Sequence, residues 1–161
     1  MTLEKFRLMH SELIEHYQFI EHNLEGIYAV ICKKDFVSGL EDVVKSNIGR
    51  IVHEIKKIEK EENLSIISQD IYERIESAME RRNFWCHNCY VDMPFKNNHE
   101  PKKQEDINRL IFDMREAEEL RIILFEIKSK ILQNKRPIIW DLPLEASVGV
   151  YVARGYSYHL I

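Results

Sequence analysis

The sequence predicts an all-α protein, an antiparallel bundle of four long helices followed by a short C-terminal extension. Apolar residues recur every three or four positions over most of the chain, which is the period of a helix that buries one face. Gly and Pro are scarce, with five and four copies, and every Pro lies after residue 93. With 161 residues, 45% of them hydrophobic, the chain is long enough to form one core.

The first two helices are predicted from unbroken apolar patterns. The first is expected from about Leu3 to Ile31, with Thr2 as its N-cap. The second is expected from about Leu40 to Glu62. It contains Gly49, and a glycine inside a helix costs about 1 kcal/mol relative to alanine. That cost suggests a close helix crossing at Gly49.

The third and fourth helices complete the predicted bundle. The third is expected to start after Ser68, a favourable N-cap with Asp70 in the first turn, and to stop before Pro94. The fourth is expected from about Gln104 to Asn134. Short connections between long helices favour antiparallel neighbours.

The C-terminal extension, residues 135–161, differs in pattern from the bundle predicted for residues 1–134. Its last part, Val148 to Ile161, alternates in polarity, is rich in Val and Tyr, and contains the turn-forming pair Arg154-Gly155. This pattern predicts a short β-hairpin. Because a lone two-stranded hairpin is only marginally stable, we expect the extension to pack on the bundle or on a partner chain.

Charge and cysteine content narrow the class of protein. The net charge of −4 argues against capture of nucleic acid by a general positive surface, so any such activity must depend on a local patch. Three cysteines, an odd number, together with no signal-peptide pattern and no apolar run near 18 residues, predict a reduced cytoplasmic protein without a membrane segment.

The most informative stretch runs from Glu80 to Tyr90 in the third predicted helix. In a straight helix, Arg82 falls in the middle of an apolar stripe formed by Ile75, Met79, Cys86, Cys89 and Met93. A buried guanidinium needs a carboxylate, a phosphate or an opening to solvent, because burying an unpaired charge is costly. Asn83 and His87 are four residues apart and share one flank of the helix, with Glu80 and Tyr90 one turn to either side.

Arg82 and His87 offer complementary chemistry for RNA cleavage. A guanidinium matches the geometry of a phosphate, and an imidazole moves protons near neutral pH. The pair suits attack of a ribose 2′-hydroxyl on its own phosphodiester, a reaction for which we expect neither a metal nor a cofactor. A structural interpretation competes with this one: Arg82 pairs with a core glutamate, Glu21, Glu41 or Glu54, and His87 only fills a packing gap.

The motif resembles a known family signature. Arg82-Asn83 followed by His87 is similar to the R-N-x-x-x-H signature of the HEPN family (higher eukaryotes and prokaryotes nucleotide-binding). Residues 17–24 and 47–52 also resemble the first two helices of small bacterial HEPN-like proteins, so the likeness covers roughly residues 1–134. The resemblance implies a helical bundle with ribonuclease activity, of the kind found in toxin–antitoxin and other defence systems, with an antitoxin as a further expected partner.

The resemblance also implies roles for individual residues. Arg82 would contact the scissile phosphate, Asn83 would position the substrate or the histidine, and His87 would be the catalytic histidine. We also expect Glu80, Arg81 and Tyr90, which lie beside the motif, to contribute to substrate binding. Some HEPN toxins carry Tyr two residues after the histidine; here Cys89 occupies that position and Tyr90 follows it.

A homodimer with a composite active site is expected from the chemistry; the alternative is a monomer in which the apolar stripe faces the bundle core. Cleavage by the 2′-hydroxyl route works best with both an acid and a base, and each chain offers one credible histidine at the motif. A two-fold interface would bring two copies of His87 and Arg82 together, with Trp85, Cys86 and Cys89 as apolar contacts around them. HEPN ribonucleases commonly pair in this way, so the resemblance implies the same arrangement.

The cysteines, the remaining histidines and the function as a whole each have a second interpretation. Cys86 and Cys89 form a C-x-x-C pair, but zinc sites usually draw four ligands from turns, so core packing is the better interpretation of both. His10, His16, His22, His53 and His99 are expected on solvated helix faces. The alternative functions are a non-catalytic HEPN-like module that binds nucleotides or partners, and a helical adaptor in which the Arg–His pair is only structural.

Overall fold

The computed structural model describes residues 1–89 and 103–134, and the secondary structure of this part is entirely helical. It contains α1 (Leu3–Ile31), α2 (Phe36–Val43), α3 (Ile48–Glu61), α4 (Gln69–Asn83), a π-helical turn (Phe84–Asn88) and α5 (Gln104–Asn134). The all-α prediction is confirmed. The predicted β-hairpin, the whole extension 135–161, and Tyr90 lie outside the described residues.

The helix ends predicted from capping residues are confirmed. The Thr2 hydroxyl accepts a hydrogen bond from the backbone N–H of Lys5 at 3.2 Å, so α1 begins where its cap allows. The Ser68 hydroxyl accepts from the backbone N–H of Ile71 at 3.4 Å at the start of α4. The helix predicted from about Gln104 to Asn134 is observed with those bounds as α5.

The predicted second helix is divided, so the expectation of one helix from Leu40 to Glu62 is wrong. A short α2 starts earlier, after Asp35, and α3 starts after Asn47, whose side chain accepts from the Arg50 N–H at 2.9 Å. Asn is among the best N-cap residues, and here it starts a new helix within a stretch whose apolar spacing looks continuous. The packing reason for a glycine is stronger at Gly39, where an added Cβ would lie 3.0 Å from the Ala29 Cα.

Division of the second helix leaves five helices in the described part, so the four-helix arrangement is not confirmed. Helix α1 contacts α2 through Tyr28 with Asp42 and Cys32 with Gly39. Helix α3 contacts α4 through Lys56 with Glu76 and Glu59 with Tyr72. Helix α4 contacts α5 through Arg74 with Glu119 and Arg81 with Asp113. Each of these pairs of helices is antiparallel, because the residue numbers of the contacts rise along one helix as they fall along the other. Helices α1 and α5 run in the same direction, since Tyr17 lies near Asp113 and Gly26 near Lys128.

The core lies between α1 and the other long helices, and a buried carboxylate organises one of its ends. Glu59 accepts hydrogen bonds from the backbone N–H groups of Ile66 and Ile67, at 2.7 and 2.8 Å, and from the Tyr72 hydroxyl at 2.6 Å. These bonds fix the loop between α3 and α4 and therefore the start of the helix that carries the motif. Among the described helices, none is long and apolar enough to cross a membrane.

Candidate active site

The motif lies where α4 changes into the π-helical turn. The backbone N–H of Cys89 bonds to the Phe84 carbonyl, five residues earlier, instead of the four-residue step of an α-helix. One extra residue in the turn moves the following side chains around the helix axis. Trp85 is fully buried and Cys86 is exposed, so the straight-helix prediction that Cys86 packs in the core is wrong, whereas Cys89 is buried as expected.

Arg82 lies at the edge of the core and pairs with α1. Its guanidinium nitrogen Nη2 is 3.9 Å from Oε2 of Glu21, and the two side chains are 36% and 22% exposed. Glu21 is one of the three glutamates expected as a structural partner. The guanidinium is therefore accessible from solvent and has a carboxylate beside it.

The other motif residues face outward. Asn83 is the last residue of α4 and is exposed, and His87 is exposed in the π-helical turn. Glu80, one turn before Asn83, is also exposed. The structure therefore places Glu80, Asn83 and His87 on the surface next to the partly exposed Arg82.

Arg81 points toward α5 instead of joining this exposed group. Its Nε lies 3.6 Å from a carboxylate oxygen of Asp113, and its Nη2 lies 4.0 Å from Glu116. The Arg81 side chain is 22% exposed. Two carboxylates nearby compensate its charge, which makes Arg81 a weaker substrate-binding candidate than Arg82.

Asp113, on α5, is a buried residue that the sequence interpretation missed. Its carboxylate accepts a hydrogen bond from the Trp85 indole N–H at 2.7 Å, and the residue is 2% exposed. Burial raises the pKa of Asp113, and the Trp85 hydrogen bond and the guanidinium groups of Arg81 and Arg109 oppose that shift. Its position could have been found, because it falls between Leu110 and Ala117 in the apolar spacing of α5.

His10 is the second residue near the motif that was missed. Its Nε2 lies 2.9 Å from the Trp85 carbonyl oxygen, and because that oxygen can only accept, Nε2 must carry the hydrogen. The Cys89 thiol donates to the same oxygen at 3.1 Å. His10 is partly buried, and His16 is 8% exposed, so the expectation of a solvated face is wrong for His16.

Aromatic and cationic groups pack around the first two residues of the π-helical turn, Phe84 and Trp85. The Arg109 guanidinium lies 3.6 Å from the centre of the Phe84 ring, a cation–π contact. Phe84 and Trp85 meet edge to face with ring centres 5.1 Å apart. Trp85 and Cys89 belong to the core of their own chain, so they are not available as the interface contacts expected around Arg82.

Within residues 1–89 and 103–134, no three His, Cys, Asp or Glu side chains are grouped so as to hold a metal ion. No family model matches the chain, and no similar chain was found among curated proteins or solved structures.

Proposed function

We propose that this protein is an endoribonuclease that cleaves RNA without a metal, by attack of a 2′-hydroxyl on the adjacent phosphodiester. The observation that carries the proposal is the common exposure of Asn83 and His87 beside Arg82 at one turn of the molecule. This reaction needs one group that binds the phosphate and one that transfers protons, and an accessible guanidinium and an accessible imidazole supply them.

Each residue has a defined role in the proposed reaction. Arg82 binds the scissile phosphate and stabilises the charge that develops on it. His87 transfers a proton, either from the attacking 2′-hydroxyl or to the leaving 5′-oxygen. Asn83 orients the substrate, and Glu80 extends the binding surface. Tyr90, outside the described residues, stays a predicted substrate-binding residue.

The proposal includes the remaining properties implied by the HEPN resemblance. The protein would act on RNA in the cytoplasm and would have an antitoxin as a partner. It would form a homodimer in which two copies of His87 supply the acid and the base. The HEPN-like character of the helical part, residues 1–134, belongs to this proposal as well.

Replacement of His87 tests the proposal directly. His87→Ala should abolish cleavage of a labelled RNA pool, and Asn88→Ala is the matched control, because Asn88 is exposed in the same turn. Both variants should retain the far-UV circular dichroism of the wild type, since both side chains lie on the surface. Equal cleavage by His87→Ala and wild type, purified in parallel, would exclude His87 as the catalytic residue.

A non-catalytic module is the second candidate. The observation that favours it is the Arg82–Glu21 ion pair, because it gives Arg82 a structural role that needs no substrate. This candidate expects RNA or nucleotide binding without cleavage by the wild type. A binding assay run on the same RNA pool separates the two functions.

A further inference from the structure

Trp85, in the π-helical turn that carries His87, reaches across to α5. Trp85 is fully buried and donates its indole N–H to Asp113 at 2.7 Å, a short bond to a buried carboxylate. Its ring also packs against Phe6 of α1, with ring centres 6.3 Å apart. The side chain is thus fixed in position and in rotation.

The backbone of the same residue is held as well. The Trp85 carbonyl accepts from His10 of α1 at 2.9 Å and from the Cys89 thiol at 3.1 Å. Helices α1 and α5 therefore both bind Trp85: α5 binds the indole N–H, and α1 binds the main-chain carbonyl and also packs against the ring. His87 follows two residues later, so its direction depends on how this turn is wound.

A buried carboxylate at this position is costly unless it is compensated. Asp113 is compensated by the Trp85 hydrogen bond and by two guanidinium groups, with Arg81 at 3.6 Å and Arg109 at 3.9 Å. An apolar pair would fill the same space without that cost, and buried polar groups can instead specify one arrangement among several. Here that arrangement is the winding of the helix between Phe84 and Asn88, which is π-helical instead of α-helical.

We compare two windings of this segment, the straight α-helix that the sequence predicts and the π-helical turn that the structure contains. In a straight α-helix, Cys86 joins the apolar stripe with Ile75 and Met79, as the sequence spacing predicts. In the observed π-helical turn, Trp85 is buried and Cys86 is exposed. Changing from one to the other shifts the register by one residue, which turns the following side chains by roughly 100°.

We propose that Asp113 is a positioning residue for the RNA-cleaving site: by holding the Trp85 indole, it selects the π-helical winding that points His87 outward. The inference rests on the proposed function for its catalytic consequence. The control of the winding itself does not depend on that function. Asp113 touches no substrate in this scheme and acts only through Trp85.

Thiol labelling reports the winding independently of any ribonuclease activity. In a Cys32→Ser background, Cys86 is the exposed cysteine of the described part, and Cys89 is buried. Asp113→Leu removes the acceptor, and we expect it to slow the labelling of Cys86 several-fold as that side chain turns inward. Asp113→Asn keeps an acceptor oxygen for the indole and should restore the wild-type rate. Glu126→Gln, an exposed carboxylate on α5, is the matched control.

General loosening of the fold would have the opposite effect, because it would speed the labelling of every cysteine. Unchanged or faster labelling of Cys86 in Asp113→Leu therefore overturns the inference. If Asp113→Leu does not fold, Trp85→Phe removes the donor while keeping an aromatic ring, and the same slower labelling is expected.

Activity measurements then test the catalytic consequence. Asp113→Leu should lower kcat, by up to about a hundredfold, with little change in KM, because the misplaced group is the histidine and not the phosphate-binding arginine. Asp113→Asn should restore kcat together with the labelling rate. If the wild type cleaves no RNA but Asp113→Leu still slows the labelling of Cys86, the ribonuclease proposal fails. Control of the winding by Asp113 is then still supported.

Discussion

The guanidinium of Arg82 lies 3.9 Å from the carboxylate of Glu21, so α1 places an anion where the proposed reaction needs the phosphate. Both side chains are partly exposed, and ion pairs of this kind typically contribute between 0 and about 1 kcal/mol. A phosphate that binds with two hydrogen bonds can displace such a partner.

Removal of the competing carboxylate should strengthen RNA binding. Glu21→Gln leaves Arg82 without its anionic partner, and we expect the Kd for a labelled RNA to fall a few-fold, with the largest effect at low salt. Fluorescence anisotropy measures the change. Glu15→Gln, an exposed carboxylate on the same helix, removes the same net charge and should have a smaller effect. Weaker binding by Glu21→Gln would show that Glu21 supports the site instead of competing within it.

The second prediction concerns the chemistry of cleavage. Because the attacking group is the neighbouring 2′-hydroxyl, the products should carry a 2′,3′-cyclic phosphate and a 5′-hydroxyl. Cleavage should continue in EDTA, since Arg82 and not a metal ion compensates the phosphate charge in the proposed reaction. Mass spectrometry of the products checks the ends. Loss of activity in EDTA that magnesium restores would exclude this mechanism.

The third prediction concerns subunit complementation. If a composite site needs both chains, a mixed dimer of Arg82→Ala and His87→Ala subunits keeps one arginine and one histidine at the shared site, so its activity should differ from that of either parent. Light scattering should give about twice the chain mass. A strictly monomeric protein that still cleaves RNA would contradict the shared site. Since Trp85 is buried in its own chain, the interface must use exposed residues such as Asn83 and His87.

The fourth prediction concerns the pH dependence of stability, through His16. Burial and, to a smaller extent, the nearby Arg121 lower the pKa of His16 from its usual 6.5, and Glu118, Glu12 and Glu15 partly oppose this. The folded protein therefore holds His16 neutral at a pH where the unfolded chain binds a proton. Stability should be fully present above about pH 6.5 and fall as the pH drops below it.

Urea unfolding between about pH 5 and pH 8, the range in which histidine titrates, measures this dependence. His16→Gln should reduce the slope, whose upper limit for one proton is about 1.4 kcal/mol per pH unit. His53→Gln, an exposed histidine on α3, should leave the slope nearly unchanged. An equal slope in wild type and His16→Gln would assign the acid sensitivity to other groups.

The sequence by itself determined the all-helical class of the described part, both ends of α1 and α5, and the start of α4. The caps at Thr2 and Ser68 and the bounds of α5 follow from hydrogen bonds and spacing within a few residues, so they can be read locally. The grouping of Arg82, Asn83 and His87 is equally local, because the three share two turns of one helix. Their exposure on the surface is what the structure added.

Only the tertiary structure decided the features that depend on distant partners. Apolar spacing continues through the break at Asn47, so the division into α2 and α3 is not visible in the pattern. The π-helical turn depends on Trp85 meeting Asp113, a residue 28 positions away, and His10, which is 75 positions away. A carboxylate in a core position looks unfavourable until its indole and guanidinium partners are placed beside it, because only the folded chain supplies the hydrogen bonds that compensate its burial.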